Sequence, residues 1–473
     1  MNTARWSRLA AWVVVILIPI RVLSLGFLPV DDALRHAGKA LTDRTWQEIL
    51  VMRPEATEDS HPGWHWILKQ VHEVAGANAI DLVFFSVAGL FVLMAGTGLS
   101  RSNPTAWMLA MLIAYVTAPG EMGRWIMGRP YLVSSAVGLL LADRWSRQGP
   151  HGPKEWPFLA VLFSVVAWIH PSYYLFAVPV AALIVCSEFV GALVLGSAVA
   201  TGAVVAGGLT GHPVRFLYQS FMHPVWSLSW PNSTLASEFQ PANGAPMFLV
   251  AVLAIATFTR SGGGRVVGSR PLLAFAGIAW ALGFVSSRFW TDWGLPVGLV
   301  LLARLLEEWI ESSAAGATIQ RGSVVVAAVL FLAATPDTGG RWSGRATSPY
   351  LVLTGKASAG LLPDDGGILY SDDMRVFYEV FFRKPNARFR FILGYEPGLM
   401  PLEDQNLLRI EVQTGLIKPF EVWVAKMTPK DRMVLRNPLT APELAGLSWT
   451  RVGRELWVGQ KELEKPGATT PAR

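Results

Sequence analysis

The stretch Leu28-Pro29-Val30-Asp31-Asp32 ends an apolar run that begins at Leu9. The run is about 20 residues long, which is the length of a helix that crosses a lipid bilayer. A basic N-terminus before an apolar run is also typical of a signal peptide, but no small-residue cleavage site follows this one. The sequence therefore predicts an uncleaved first transmembrane helix with a pair of aspartates at its far end.

Further apolar runs follow as far as residue 336, and hydrophobic residues make up 52% of the 473-residue chain. Together with the first run they predict a polytopic α-helical membrane protein with about 11 transmembrane helices. Two neighbouring runs are separated only by His170-Pro171-Ser172, which predicts a tight hairpin or a broken helix. The further runs are 80–99, 104–119, 126–142, 157–170, 173–190, 191–210, 245–259, 271–287, 294–310 and 322–336.

Charge divides the chain after about Pro336. The first 336 residues carry 39 charged side chains, whereas the last 137 carry 35. The tail also alternates stretches typical of strands with stretches typical of helices. We therefore predict a transmembrane domain over 1–336 and a small C-terminal α/β domain over 337–473. Strands are predicted at 367–370, 388–393, 421–425 and 456–459, and helices at 372–382 and 402–414.

The distribution of Lys and Arg among the short loops predicts the orientation of the chain in the membrane. Most of them, including the three arginines of loop 260–270, fall on one side of the membrane if the N-terminus is cytoplasmic. With an odd number of spans, loop 29–79 and the tail then lie outside the cytoplasm. We therefore expect a multi-pass protein of the inner (plasma) membrane with an extracytoplasmic C-terminal domain. The net charge of +6 is spread over both halves, so nucleic acid is not an expected partner.

The outer loop 29–79 holds the main candidates for chemistry. It carries five basic and eight acidic residues, whereas the apolar runs are poor in charge. At a membrane mouth, Asp31 or Asp32 can act as a general base on an acceptor hydroxyl. Arg35 and Lys39 can neutralise a phosphate leaving group. The alternative for the aspartates is that one of them caps the following helix.

The same loop continues with His61-Pro62-Gly63-Trp64-His65-Trp66. From Trp64 onwards, apolar residues recur at helical spacing, which predicts an amphipathic helix in the membrane interface. His61 is a candidate for substrate binding. Alternatively, it is only the boundary residue before a proline that starts this helix.

Other outer segments add candidates for substrate binding. Glu121 supplies a second acid or caps the next helix. Arg129 lies close to an apolar run, where a charge needs a partner or binds an anion. His170 belongs to a polar aromatic turn, and the alternative is an aromatic belt at the membrane surface. Loop 211–244, which includes His223, is a weaker candidate.

The segment Arg288-Phe289-Trp290-Thr291-Asp292-Trp293 has two interpretations. Its tryptophan faces can bind a sugar, with Arg288 and Asp292 as polar contacts. Alternatively, Arg288 and Asp292 form an internal ion pair between helices. The sequence leaves both open.

An acidic pair after the first span, followed by His-Pro before an amphipathic helix, resembles the GT-C membrane glycosyltransferases. These include protein mannosyltransferases, lipid A aminoarabinose transferases and related bacterial enzymes. The residues that carry the resemblance are Asp31-Asp32 and His61-Pro62-Gly63. The protein mannosyltransferase type usually has a second proline where this chain has Gly63. The architecture of the whole chain is also similar to that class.

This resemblance implies an inverting glycosyltransferase with Asp31 or Asp32 as the base. The donor would be a sugar on a polyprenyl phosphate, and the acceptor a glycan, lipid or protein at the extracytoplasmic face. Some members need a divalent cation such as Mg²⁺ or Mn²⁺. Here only Asp31, Asp32, Glu121 and Asp292 are placed to serve, and no spacing defines a metal site.

Two other functions fit the same composition. One is a transporter or flippase of a lipid-linked saccharide that performs no chemistry. The other is a membrane anchor for a C-terminal binding module. The chain shows no internal repeat, and its polar residues cluster at one membrane face, which favours the enzyme over the transporter. The absence of a phosphate-binding Gly-Lys loop argues against an ATP-driven pump.

Overall fold

The computed structural model describes residues 3–29, 31–228, 240–242, 244–261, 269–336, 360–437, 440–452 and 455–462. Residues 262–268 of the arginine-rich loop lie outside these ranges. So do residues 337–359, which follow the predicted domain boundary.

The described secondary structure of the first part of the chain is almost entirely helical, and every predicted apolar run forms a helix over most of its residues. Within the residues that the structure describes, four helices are long and apolar enough to cross a membrane, or five if the bent pair Ala314–Arg321 and Ser323–Ala334 is one span. The predicted membrane character is thus supported, whereas the count of eleven spans stays a prediction. The helices are α1 (Thr3–Ser24), α2 (Asp32–Ala40), α3 (Trp46–Ile49), α4 (Pro62–Ala75), α5 (Ala79–Arg101), α6 (Pro104–Thr117), α7 (Pro119–Arg124), α8 (Tyr131–Arg147), α9 (Trp156–Ile169), α10 (Ala177–Val185), α11 (Phe189–Leu209), α12 (Pro213–Leu228), α13 (Ala245–Ser261), α14 (Arg270–Gly283), α15 (Ser287–Phe289), α16 (Leu295–Ser312), α17 (Ala314–Arg321) and α18 (Ser323–Ala334).

Local sequence explains several of these boundaries. α5 begins after Asn78, whose side chain accepts the backbone N–H groups of Ile80 and Asp81. α6 follows Asn103 in the same way, with a proline at its first position. α4 ends at Gly76, which adopts a left-handed conformation with φ of 66°. The predicted helix starts near residues 80 and 104 are therefore confirmed, and an asparagine cap precedes each of them.

The chain is interrupted between the predicted runs 157–170 and 173–190. α9 ends at Ile169, His170 is extended, and a short 3₁₀ turn over Tyr173–Phe176 leads into α10. The predicted interruption at residues 170–172 is therefore confirmed, whereas the choice between a hairpin and a broken helix stays a prediction. The break places the side chains of His170 and Ser172 at the end of α9, and both are buried.

The tail forms a small α/β domain around a mixed five-stranded sheet with strand order β2-β1-β3-β5-β4. β1 is parallel to β2 and β3, whereas β5 is antiparallel to β3 and β4. The elements are β1 (Ile368–Ser371), α19 (Met374–Arg383), β2 (Arg390–Phe391), α20 (Leu402–Thr414), α21 (Glu421–Lys426), β3 (Arg432–Arg436), β4 (Leu447–Arg451) and β5 (Leu456–Lys461).

One predicted strand is wrong, because residues 421–425 belong to helix α21. Two adjacent side chains of this helix, Trp423 and Val424, are both buried. The ring of Trp423 stacks on Phe420 at 4.4 Å between ring centres. A strand with one exposed face alternates buried and exposed residues, so this burial pattern suits a helix. β3 and β4, which were not predicted, take the place of that strand in the sheet.

The tail packs directly on the outer loop. The segment after α3 continues the sheet, because the N–H of Val51 donates to the carbonyl of Phe391 at 2.8 Å. α19 lies against α2, and the ring of Phe381 comes within 3.1 Å of where a Cβ on Gly38 would stand. The glycine in α2 therefore allows a close approach of the two helices. The loop and the tail thus pack together as one layer at the end of the helical bundle.

Candidate functional site: a charged cleft below the tail

A charged cleft opens where the outer loop, the helical bundle and the tail meet. Its main part has a volume of about 650 Å³, and a smaller cavity of about 350 Å³ adjoins it. Four predicted site residues line both cavities, which therefore form one branched site. These four are Asp32, His61, His170 and Arg288, and the predicted residues Arg35, Arg129 and Asp292 each line one of the two cavities.

The two aspartates of the acidic pair differ in position. Asp31 lies before α2, its side chain caps no helix N–H, and its carboxylate is 2.5 Å from Nη2 of Arg129. Asp32 begins α2, and its carboxylate is 2.9 Å from Arg35 and 3.9 Å from Nε of Arg129. Among the described residues, Asp32 lines both cavities and Asp31 lines neither. The helix-cap alternative is thus wrong for the side chain of Asp31, and Asp32 is the aspartate that a bound molecule can reach.

Arg35 is enclosed between Asp32 and the tail. Its side chain is only 4% exposed, and its guanidinium carbon lies 4.0 Å from the ring centre of Tyr395. That distance is typical of a cation–π contact. Removal of one partner of a buried ion pair costs about 3–5 kcal/mol, so these contacts are needed to keep Arg35 in place. The tail therefore contributes to the geometry of the site through Tyr395.

A chain of hydrogen bonds leads from Arg35 away from the cleft. Nη2 of Arg35 donates to Nε2 of His36 at 3.1 Å, and Nδ1 of His36 lies 2.8 Å from Nε2 of His65. Nδ1 of His65 lies 2.6 Å from a carboxylate oxygen of Asp59. Every bond has one donor and one acceptor when both imidazoles are neutral and protonated on Nδ1. The chain thus anchors Arg35 to a carboxylate on its far side.

Burial keeps these histidines neutral. It lowers the pKa of His36 and of His61 well below that of an exposed histidine, and the charge of Arg35 lowers both further. Burial also lowers the pKa of His65, although the carboxylate of Asp59 opposes this shift. His61 therefore presents a neutral imidazole to the cleft, and such a group can accept or donate a proton. His61 also precedes the proline that starts α4, as the alternative interpretation predicted, whereas its role in substrate binding stays a prediction.

His170 connects separate elements at the break after α9. Its Nδ1 lies 3.0 Å from Oγ of Ser134 on α8, and its Nε2 lies 3.2 Å from Oγ of Ser172. Nη2 of Arg288 donates to the same Oγ of Ser172 at 2.6 Å. His170 is buried, so the aromatic-belt interpretation is wrong for this residue. It belongs to a hydrogen-bonded group that faces the cleft.

The tryptophan-rich segment 288–293 has buried rings and two charged side chains, Arg288 and Asp292. Nε of Arg288 lies 3.7 Å from the carboxylate of Asp292, so the two residues form an ion pair, but within one helical segment and not between helices as predicted. Trp290 and Trp293 are fully buried, so the predicted sugar site on their faces is wrong. The segment Trp290–Gly294 is a π-helix, a widened turn that is frequent at functional sites. It directs Arg288 and Asp292 toward the smaller cavity.

Two predicted site residues lie away from the cleft. Lys39 lies in the last turn of α2, and its Nζ is 5.9 Å from the ring centre of Trp46. Oε1 of Glu121 accepts the backbone N–H of Gly244 at 3.0 Å, which ties α7 to the start of α13. Neither lines either cavity, and the carboxylate of Glu121 does not cap the next helix.

Several residues of the cleft were not predicted. Tyr395 and Glu396 come from the tail, and Glu396 pairs with His223, which lies on α12 rather than in a loop. No spacing in the sequence relates these positions. His65 lies behind the cleft lining, in the hydrogen-bonded chain that anchors Arg35. Its position four residues after His61 was a signal in the sequence, because that spacing brings side chains together on a helix.

The four acids that the sequence offers to a divalent cation each have a partner within the protein. Within the described part of the chain, no three His, Cys, Asp or Glu side chains are grouped to hold a metal ion. Asp31, Asp32 and Asp292 each lie beside an arginine, and Glu121 lies outside the cleft. A divalent cation therefore stays a prediction, and in this structure a guanidinium group lies next to each of the three aspartates.

Cations outnumber carboxylates among the residues that line the cleft. Arginine offers two parallel hydrogen bonds to an oxyanion, so the lining suits a phosphate group next to a polar, hydroxyl-bearing molecule. Neither the protein-family models nor the curated proteins with which the chain was compared match it. The charged residues that line the cleft, histidines aside, are Arg35, Arg124, Arg129, Arg288, Asp32, Asp292 and Glu396.

Proposed function

We propose that the protein is an integral membrane glycosyltransferase of the plasma membrane. It moves a sugar from a polyprenyl-phosphate-linked donor to a glycan, lipid or protein acceptor at the extracytoplasmic face. The observation that carries the proposal is the branched cleft, where the carboxylate of Asp32 lines both cavities and lies among arginines. An acceptor hydroxyl needs a base and a leaving phosphate needs positive charge, and this site supplies both.

In the proposed reaction, Asp32 takes the proton of the acceptor hydroxyl while that oxygen bonds to the anomeric carbon. The bond between the anomeric carbon and the phosphate oxygen breaks, and its electron pair leaves with the phosphate. A single displacement of this kind inverts the anomeric configuration and releases polyprenyl phosphate. Asp31 acts as a positioning residue, because its contact with Arg129 holds that guanidinium near Asp32.

The two cavities suggest where each part of the substrates binds. Arg124, Arg129 and Arg288 line the smaller cavity, which makes it the better place for the donor phosphate. The larger cavity offers Ser60, Glu396 and other polar groups for hydroxyls of the sugar or the acceptor. Because arginines provide the positive charge, we expect chelation of divalent cations by EDTA to leave the transfer rate unchanged.

The test uses membranes that contain the protein and a polyprenyl phosphate with a radiolabelled sugar. Asp32→Asn keeps the shape of the side chain but removes the base, so we expect label transfer to fall at least about a hundredfold. Asp31→Asn retains the base and loses only the pair with Arg129, so its loss is smaller. Asp43→Asn is the matched control, since this carboxylate lies in the same loop and is 91% exposed.

Two outcomes would change the proposal. Full transfer by Asp32→Asn, and by the double variant with Asp31→Asn, would refute the assignment of the base. Movement of the labelled lipid-linked saccharide across proteoliposome membranes without a new glycosidic bond would instead identify a transporter or flippase with the same cleft as its binding site.

A further inference from the structure

A second charged cavity lies at the opposite end of α8 from the cleft. α8 has 17 residues and is therefore about 25 Å long. Its first turn reaches the cleft, because Tyr131 lines the smaller cavity and Ser134 bonds to His170. Its last turn, with Arg144 and Arg147, lines a cavity of about 820 Å³. The two sites thus occupy the two ends of one helix.

The rim of this second cavity carries an excess of positive charge. Three guanidinium groups and two carboxylates line it, and the carboxylates are already paired. Nη2 of Arg144 lies 2.8 Å from the carboxylate of Glu155. Asp143 bonds to Arg147 at 3.2 Å and also to Arg304, which lies outside the cavity lining. The third guanidinium belongs to Arg101, so the rim is complementary to an anion.

The wall of the cavity is apolar and continues along α9. Leu140 and Leu162 line it, and Phe158 lies at its edge with 68% of its surface exposed. Val161 and Val165 follow Phe158 and are also exposed. Residues three and seven positions apart lie on one side of a helix, so an apolar track leads from the cavity along α9.

We propose that this cavity binds an anionic phospholipid, with its phosphate at Arg101 and Arg147 and an acyl chain along Phe158 and the track on α9. A basic rim next to an apolar track matches the two parts of a lipid, whereas a free phosphate would leave the track unused. Basic pockets between membrane helices on the cytoplasmic side suit anionic headgroups. The proposal does not depend on the chemistry of the cleft.

The test measures lipid binding to the delipidated, detergent-solubilised protein by native mass spectrometry. Phosphatidylglycerol and phosphatidylcholine with identical acyl chains are titrated, and we expect tighter binding of phosphatidylglycerol. Arg101→Gln with Arg147→Gln should raise the Kd for phosphatidylglycerol about tenfold or more and leave phosphatidylcholine unchanged. Arg8→Gln with Arg321→Gln is the matched control, because both arginines are exposed and neither lines the cavity.

A second variant tests the apolar track without changing charge. Phe158→Ala should weaken both lipids, whereas Leu193→Ala, which removes an exposed apolar side chain on α11, should weaken neither. Equal affinity for both lipids, an equal loss in the control arginine pair, or displacement of phosphatidylglycerol by glycerol phosphate at equal concentration would each overturn the proposal.

Discussion

At the scale of single residues, His36 lies in the middle of the hydrogen-bonded chain that anchors Arg35. Its nitrogen atoms connect Arg35 to His65, and His61 and His170 also face it. Because its pKa is lowered in the folded protein, the unfolded chain binds more protons as the pH falls. The contribution of the neutral His36 to the free energy of unfolding is therefore fully present above about pH 6.5, which is the pKa of a free histidine. This contribution is lost as the pH falls below that value.

We expect His36→Asn to change both the level and the pH dependence of stability. At pH 7.5 the variant should lose about 1–3 kcal/mol, since a buried hydrogen-bond network is interrupted. Between pH 7.5 and 5, its melting temperature should fall less than that of the parent, because one neutral buried histidine is gone. Thermal melts in detergent measure both. His212→Asn removes an exposed histidine and should follow the parent, and an equal effect there would contradict the argument.

Gly63 lies where no side chain fits. A Cβ at this position would stand 2.6 Å from the indole ring of Trp168, and a backbone atom of the same residue is 2.9 Å away. We expect Gly63→Ala to lower the free energy of unfolding by about 1–3 kcal/mol, because the extra carbon forces α4 away from α9. Chemical unfolding in detergent measures the loss. Gly89→Ala, with no atom within 4 Å of the new carbon, should show no such loss.

At the scale of elements, Arg44 joins the outer loop to the tail. Its guanidinium group donates to the carbonyls of Ala387 and Phe389, on the chain that leads into β2. The N–H of Val51 donates to Phe391 in the same region. These bonds add one segment of the loop to the edge of the sheet. We therefore expect the hydrogen bonds of the loop and of the tail in this region to break together in local unfolding.

We expect Arg44→Gln to speed hydrogen exchange at the amide of Val51 by about tenfold or more, since hydrogen bonds from a charged group contribute about 1.5–3 kcal/mol. Exchange followed by mass spectrometry measures the rate. Arg388→Gln is the control, because that arginine is exposed beside the same strand. Unchanged exchange in Arg44→Gln would show that the contact of loop and tail does not depend on this side chain.

The sequence predicted the positions of helices and strands better than it predicted which residues contact each other. Runs such as 80–99 and 104–119 became α5 and α6, because apolar composition and asparagine caps act locally. Residues 421–425 were predicted as a strand because Val422, Trp423 and Val424 have strand-forming side chains. Trp423 instead stacks on Phe420, three residues earlier, which is a spacing typical of neighbours on one side of a helix. This local signal was present in the sequence, but the strand-forming composition outweighed it in the prediction.

The candidate site was predictable to the extent that its residues lie close together in the chain. Asp32, Arg35 and His61 come from one outer loop, so their proximity followed from the loop itself. Tyr395 and Glu396 reach the cleft only because the tail packs on that loop. Such long-range contacts depend on the fold, and neither composition nor spacing indicates them.

At the scale of the whole molecule, the charged groups concentrate at two ends of the helical bundle. The cleft lies at the first turn of α8 and the second cavity at its last turn. The tail covers the cleft end. A bundle that spans the membrane must therefore present the tail and the second cavity to opposite compartments.

Cysteine labelling tests this arrangement, because the chain has a single cysteine and Cys186→Ser removes it. In that background, Gln413→Cys places a thiol on the exposed side of α20, and Lys154→Cys places one on the exposed turn before α9. For the proposed orientation, an impermeant maleimide should label Gln413→Cys on intact cells. It should label Lys154→Cys only after permeabilisation, whereas Cys186→Ser alone should take up no label. Labelling of both from the same side would contradict a membrane-spanning bundle between them. The reverse pattern would place the cleft in the cytoplasm and exclude sugar transfer at the outer face.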